Sequence, residues 1–202
     1  RQEDPIPTKV ETMYTRGLKH LASSQAANGS WEDSSGHYPG VVGLATLAFL
    51  AHGEDPNHGP YSKNIQHTID YLIESQREDN GYIGTSMYNH GFATLALAES
   101  YGVVEDPRIE KSLNKAVELI LSAQARNPKG AWRYSPDSKD ADTTISGCQI
   151  VALLAARNAG IPVPDAAIER ALKYMSTCRD SSGAYGYTSR GGAKVTLTAI
   201  GS

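Results

Sequence analysis

The residues best suited to chemistry lie between Lys129 and Ala156, where a polar segment precedes an almost entirely apolar stretch. In that segment Asp140 and Asp142 flank a single alanine. Two carboxyl groups this close can keep one of them protonated, and a carboxyl kept protonated in a buried site can act as a general acid. Asp142 also stands where a helix needs its N-cap, so its carboxylate could simply accept a backbone hydrogen bond in the first turn. Both interpretations, acid and cap, are open on these residues.

The chain around this segment repeats in four units with approximate boundaries 5–53, 54–102, 103–160 and 161–202. Each unit has an amphipathic segment, a polar turn with a glycine and an aromatic residue, and a nearly all-apolar segment. This periodicity predicts one all-α domain in which amphipathic outer helices surround apolar inner helices. The turns pair Gln25 with Gly29 and Trp31, Gln76 with Gly81 and Tyr82, Gln124 with Gly130 and Trp132, and Cys178 with Gly183 and Tyr185.

The turn spacing, Gln-x(3 or more)-Gly-x-Trp, resembles the repeat of the prenyltransferase and squalene-oxidase family and covers nearly the whole chain. The third unit is also similar to the acid motif of the squalene-hopene cyclases. The residues that match this motif are Gly130, Trp132, Asp140, Asp142 and Thr144. Thr143 departs from it, since the family has its last aspartate at that place.

This resemblance implies an α/α toroid, here of about four helical hairpins and therefore an incomplete ring. It also implies a terpene cyclase that starts isoprenoid cyclisation by protonation. Asp142 would be the proton donor, with Asp140 as its neighbour and His90 or His37 as the residue that returns the proton.

In such a toroid the inner helices begin at one end, so the segments before them meet around a mouth. Aromatic rings, histidines and carboxylates in one cleft are the usual lining of a ligand site. The same histidines could instead bond helix starts, and the aromatic residues could pack between units. The candidate ligand contacts are His37, Tyr38, Met87, Tyr88, Trp132, Tyr134 and Tyr187.

Two other functions compete with isoprenoid cyclisation. One is a non-catalytic binding or scaffold module that uses the mouth. The other is carbohydrate cleavage, because α/α toroids also host lyases and hydrolases, although carboxylates two residues apart reach opposite sides of a sugar poorly. A deep closed apolar cavity below Asp142 would favour isoprenoid chemistry, and a shallow open groove would favour binding.

The composition and charge of the chain limit the classes of partner that it is expected to bind. With 202 residues, 40% apolar residues and a net charge of −3, the chain has no basic stripe for nucleic acid or anionic lipid. No apolar run is long enough to span a membrane. No cofactor is indicated: protein prenyltransferases hold zinc through Asp-x-Cys, and Thr144 stands at the cysteine position. Cys148 and Cys178 are expected to be free thiols.

The two ends of the sequence suggest its setting. The chain begins at Arg1 without a methionine, which is typical of a trimmed soluble protein or of an extracytoplasmic one after loss of a signal peptide, and leaves the compartment open. It ends in an apolar segment in which Val195, Leu197 and Ile200 are expected to lack cover. Such an edge predicts self-association or further C-terminal hairpins.

Overall fold

The chain forms an all-α arc of helical hairpins in the computed structural model, which describes residues 7–33, 36–53 and 55–201 apart from the side chains of 33, 36 and 37. The described helices are α1 Thr8–Ser24, α2 Pro39–Leu50, α3 Ser62–Glu74, α4 Met87–Ser100, α5 Arg108–Arg126, α6 Thr143–Asn158, α7 Asp165–Cys178 and α8 Val195–Gly201. A pair of two-residue antiparallel strands, β1 Glu32–Asp33 and β2 Gly36–His37, joins α1 to α2.

Outer and inner helices alternate along the chain, as the periodicity predicts. On outer helix α5 the buried residues include Ile109, Leu113, Ala116 and Ile120, whose spacing of three and four places them on one face. Inner helix α6 is buried over most of its circumference. The inner helices contact one another in the order α2, α4, α6, α8, and each outer helix covers its neighbours from outside. This arrangement is that of an α/α toroid.

Glycine lets the inner helices approach closely. A Cβ at Gly43 would lie 2.6 Å from the carbonyl oxygen of Phe92, and one at Gly147 would lie 2.5 Å from Cγ2 of Ile200. Both glycines sit in the middle of a helix, where they weaken it relative to alanine. The compensation is close packing of the inner helices, against the backbone of α4 at Gly43 and against the Ile200 side chain at Gly147.

The repeated glutamines tie each turn to the following outer helix. The Nε2 atom of Gln124 donates to the carbonyls of Gly130 at 2.9 Å and Ala167 at 2.8 Å. Gln25 does the same with Gly29 and Asn64, and Gln76 with Gly81 and Ser112. These glutamines therefore join consecutive units.

The fourth turn corrects one assignment. In the first two turns, the residue after the glutamine donates its backbone N–H across the turn, Ala26 to Ser30 and Arg77 to Tyr82. In the fourth turn the corresponding donor is Asp180, which bonds Ala184. Arg179, and not Cys178, therefore occupies the glutamine position.

The C-terminal helix is only partly uncovered. Val195 is 88% exposed and Ile200 43%, but Leu197 is buried, contrary to expectation, because α8 packs on α6. The extent of the domain and its association with other copies or hairpins stay predictions. Among the helices in the described ranges, none has the length and hydrophobicity to cross a membrane.

Candidate functional site at the starts of the inner helices

The structure brings three chain segments together where inner helices α4 and α6 begin. The backbone N–H of Met87, the first residue of α4, donates to the carbonyl of Tyr134 at 2.9 Å. The N–H of Thr143, the first residue of α6, donates to the carbonyl of Tyr187 at 2.9 Å. Loops from the third and fourth units are thereby fixed on adjacent helix starts, and we call this region the mouth.

Asp142 is the buried centre of the mouth. Its side chain is fully buried and caps α6, with Oδ1 accepting from the N–H of Ile145 at 2.8 Å. The same oxygen accepts from the Thr144 hydroxyl at 2.7 Å, and Oδ2 accepts from the Tyr187 hydroxyl at 3.2 Å. A buried carboxylate needs such partners. Both oxygens of Asp142 are therefore engaged by the protein itself.

Arg133 lies between the two aspartates. Its Nη1 atom pairs with Oδ2 of Asp140, and its Nε is 3.9 Å from Oδ2 of Asp142. Partial desolvation opposes the charge of Arg133, but Asp140 and its other neighbours outweigh this and raise the pKa of the guanidinium. The paired negative charge expected of a proton donor is thus offset by a cation.

Three tyrosines form the outward surface of the mouth. The hydroxyls of Tyr134 and Tyr187 are 2.8 Å apart, and the rings of Tyr88 and Tyr134 are 6.2 Å apart between centroids. The Tyr88 hydroxyl bonds the hydroxyl of Thr144. Burial raises the pKa of both Tyr88 and Tyr187, so both hydroxyls keep their protons at neutral pH. Tyr134 remains 50% exposed and presents its ring to solvent.

Arg133 also stacks on this aromatic surface. Its guanidinium carbon is 5.5 Å from the Tyr134 ring centroid and 5.8 Å from that of Tyr187. Such cation–π contacts stabilise both partners. Arg133 was not among the residues predicted from the sequence. The signal for it was an arginine between two aromatic residues in a turn that already carried candidates.

His90 belongs to the interior rather than to the mouth. It is fully buried, its Nδ1 accepts from the N–H of Ile83 at 3.1 Å, and its Nε2 lies 3.0 Å from the carbonyl of Ala116. Burial lowers the pKa of His90 to about 4, so it is neutral at physiological pH. With both nitrogens used, no ring atom is left for Asp142.

The other predicted contacts divide between interior and surface. Trp132 is 2% exposed and its indole N–H donates to the carbonyl of Ile120 at 2.9 Å, as a packing residue does. Met87 is fully buried, and Tyr38 is half-buried at the start of α2. The side chain of His37 lies outside the described residues. The residues that the structure places at the surface of the mouth are therefore Tyr88, Tyr134 and Tyr187, together with Arg133 and Asp140.

Below the mouth, the inner helices expose an apolar wall. A groove of about 580 Å³ is lined by residues of three inner helices, among them Leu47, Leu95 and Val151. Leu44 is 48% exposed and Val151 50%. The wall is therefore accessible to solvent.

Metal-binding residues are not grouped in the described part of the chain: no cluster of three or more His, Cys, Asp or Glu is placed to hold an ion. Cys148 lies against α4 near Gly91, and burial raises the pKa of its thiol to about 12. It is an inert core residue at neutral pH.

Comparison with known proteins supports the fold. No family model and no curated protein matches the chain. Among solved structures, a glycosyl hydrolase family 88 protein from Bacteroides vulgatus matches with a TM-score of 0.65 and 15% identity, covering 98% of this chain and 67% of that one. A polysaccharide lyase matches with a TM-score of 0.65 and 14% identity, covering 98% and 66%.

These likenesses confirm the α/α toroid. They do not support the prenyltransferase and squalene-cyclase family that the turn motif suggested. The chain spans about two thirds of the length of these neighbours.

Proposed function

We propose that this protein binds a saccharide at the mouth without cleaving it. The observation that carries the proposal is the half-exposed Tyr134 ring, hydrogen-bonded to Tyr187 and stacked with Arg133 above the buried Asp142. The fold is shared with proteins named as a glycosyl hydrolase and a polysaccharide lyase. That likeness adds to the proposal but does not by itself assign a ligand.

The chemistry of the surface suits a sugar ring. An aromatic side chain offers an apolar face for C–H groups and, in tyrosine, a hydroxyl at its edge. Arg133 and the outward oxygen of Asp140 can bond sugar hydroxyls beside that face, and charged partners make such bonds stronger. Because Asp142 fixes Tyr187 from below, the surface is organised before a ligand arrives, which reduces the entropy lost on binding.

The carboxylates favour binding over cleavage. Glycosidases place two carboxyl groups on opposite sides of the scissile bond. Here Asp140 and Asp142 approach the same guanidinium, so they lie on one side of any ligand at the mouth. Asp142 also has no unoccupied oxygen to act as acid or base.

An isoprenoid or similar apolar ligand is the second candidate, and one observation favours it. The exposed wall of Leu44, Leu47, Leu95 and Val151 would bury apolar surface if a hydrocarbon chain lay along it. Protonation by Asp142 has less support than such binding, because both carboxylate oxygens already accept hydrogen bonds and both ring nitrogens of His90 are bonded to the backbone. Cyclase activity therefore ranks below saccharide binding.

Calorimetric titration with a panel of neutral and acidic oligosaccharides tests the main proposal. We expect at least one saccharide to bind wild-type protein, and Tyr134→Ala to lower its affinity about tenfold, the loss of about 1.4 kcal/mol expected when an aromatic platform is removed. Tyr134→Phe should keep most of the affinity because it keeps the ring. Tyr101→Ala, at the other end of α4, is the matched control and should bind normally.

The same samples test the second candidate. If no saccharide binds, and squalene or a polyprenyl diphosphate is converted or raises the melting temperature, the isoprenoid interpretation replaces ours. Binding of a saccharide that is indifferent to Tyr134→Ala would place the ligand away from the mouth and refute the assigned site.

A further inference from the structure

A groove on the outer side of the third turn carries an unusual excess of positive charge. It lies between the turn that follows α5 and the side of α7, and it measures about 770 Å³. Lys129, Arg170 and Lys173 line it. Among the described residues that line it, none is acidic, and none of the described ion pairs includes Lys129 or Lys173. We call it the basic groove.

The repeat provides an internal comparison for this groove. Each turn glycine packs on one residue of the next outer helix, which is His67 for Gly29, Lys115 for Gly81 and Arg170 for Gly130. Three residues further along these helices stand Asp70, Glu118 and Lys173. An acid that follows the basic residue in the earlier units is thus replaced by a cation in the third.

The turn of the third unit also gains a positive charge where the earlier turns have a neutral residue. The residue before the turn glycine is Asn28 in the first unit and Asn80 in the second, and each amide oxygen accepts a backbone N–H within its turn. In the third unit this residue is Lys129, and the turn bond is made by Asn127 instead. A repeat that needs only to fold gains nothing from three unpaired cations in one groove, since like charges repel.

The position of Arg170 in the groove is set by a hydrogen bond, and Lys173 lies beside it. Arg170 donates from Nη2 to Oε1 of the buried Gln124 at 3.1 Å, so its guanidinium is anchored. Arg170 and Lys173 are three residues apart on α7 and therefore neighbours on one helix face. The volume lies within the range of small-molecule sites, about 300–1,000 Å³, which exceeds the needs of a single small anion.

The groove and the mouth share one loop. Thr188 lines the groove, and its chain neighbour Tyr187 lies in the mouth. Asn127, also a lining residue, donates from Nδ2 to the carbonyl of Asp140 at 2.9 Å and so links the groove to the loop beside Arg133. A chain molecule seated on the tyrosines could continue into the groove over this loop.

We infer that the basic groove binds the acidic groups of the saccharide whose sugar rings contact the mouth, so that the ligand is an acidic polysaccharide bearing carboxylates or sulfates. This inference rests on the proposed function for the identity of the chain molecule. The contribution of the groove is electrostatic, so binding weakens as salt concentration rises.

The test compares ligands that differ in charge. Oligogalacturonide, its methyl ester and a sulfated oligosaccharide are titrated into wild-type protein and into the double variant Lys129→Ser, Lys173→Ser. We expect the double variant to lose about tenfold in affinity for one of the acidic ligands, with that loss reduced in high salt, and to bind the methyl ester as wild type does. Whichever acidic ligand is affected identifies the acid group.

The matched control is Lys111→Ser, Lys115→Ser, which removes two positive charges from another groove, beside the second turn and α5, where Glu74 and Glu78 are also present. It should bind acidic ligands normally. Equal affinities of the wild type and the Lys129, Lys173 variant for every acidic ligand overturn the inference, whatever Tyr134→Ala does. If Tyr134→Ala has no effect while the groove variant loses acidic ligands, the groove stands as an acidic-saccharide site and only the proposed function at the mouth is lost.

Discussion

Inner helices α4 and α6 begin with the same kind of cap but with different amounts of surrounding chemistry. The hydroxyl of Ser86 accepts from the N–H of Asn89 at 3.3 Å, and the only other described hydrogen bond of that hydroxyl is with the side chain of Asn89. Asp142 accepts from the N–H of Ile145 and from the hydroxyls of Thr144 and Tyr187. Its Oδ2 atom is also 3.9 Å from Nε of Arg133. A neutral hydroxyl is sufficient to start α4. The charge at the start of α6 therefore serves more than helix capping.

The repeated glutamines show the opposite behaviour. The same two-carbonyl bridge occurs in three turns and binds nothing beyond the protein backbone and an adjacent side chain. A polar group that recurs in three turns joins the units, whereas a polar group that occurs in one unit distinguishes that unit from the others. The third unit, with Asp142, Arg133 and the basic groove, is therefore the unit in which we propose the functional site.

The largest effect is expected from the repeated bridge. Gln124→Ala leaves the carbonyls of Gly130 and Ala167 without their donor in a buried place and should lower the free energy of unfolding by about 3 kcal/mol. Urea unfolding followed by circular dichroism measures this loss.

Gln76→Ala is the paired variant for that experiment. It removes the same bridge from the second turn, where the glutamine is only half-buried, and should cost less. A loss below about 0.5 kcal/mol for Gln124→Ala, the range of an ordinary surface substitution, would show that the bridge does not hold the units together.

Substitutions of Asp142 distinguish its role as the N-cap of α6 from the role of its negative charge. Asp142→Ala removes the acceptor of Ile145 and Tyr187 and should cost about 2 kcal/mol, whereas Asp142→Asn keeps a good cap and should cost less than about 1 kcal/mol. Because the amide no longer pairs with Arg133 as a carboxylate does, Asp142→Asn should still weaken ligand binding. Thermal unfolding and saccharide titration of the two variants measure both effects, and unaltered affinity in Asp142→Asn would contradict a role for the charge.

His90 predicts a pH dependence that belongs to folding and not to binding. Its pKa is about 4 in the folded protein, against an ordinary value of about 6.5, so the unfolded chain binds the proton more readily. The stabilisation is complete above pH 6.5 and is lost as the pH falls towards 4, with about 1.4 kcal/mol lost by pH 5.5. The pKa of Asp106, lowered to about 2 mainly by its hydrogen bond with Arg108, keeps that carboxylate charged throughout this window.

Urea unfolding at pH 7.5 and 5.5 measures this dependence. His90→Gln offers a neutral donor and acceptor, so its stability should change less between the two pH values than that of wild type. His20→Gln, at an exposed position of α1, is the control and should retain the wild-type dependence. An unchanged dependence in His90→Gln would show that another group titrates.

The smallest effect is expected at the simpler cap. Ser86→Ala should cost about 1 kcal/mol, and Ser86→Asp should restore the cap. Neither should alter saccharide affinity, which is measured beside stability. If Ser86→Ala weakened binding as much as Asp142→Asn, the distinction between the two helix starts would fail.

The sequence by itself determined the repeat and most of the elements. Period, glycine turns and capping residues depend on local chemistry, so they identified all-α hairpins and the capping role of Asp142 without knowledge of contacts. The starts of the inner helices, at Pro39, Met87 and Thr143, cannot be read from the apolar pattern alone. Each first turn contains polar or small residues that an apolar pattern does not register, such as Gly40, Asn89 and Thr144.

Only the tertiary structure decided which candidate residues face a ligand. His90 and Tyr88 are two residues apart, yet one faces the core and bonds Ala116 while the other reaches Thr144 across the mouth. Trp132 and Arg133 are adjacent, and again one is interior and the other meets Asp140. Periodicity gives the direction of a side chain relative to its own helix, but the partner of that side chain depends on how separate units pack. That packing places Arg133 between Asp140 and Asp142. The pair is therefore interpreted as carboxylates bound by the protein and not as a proton donor.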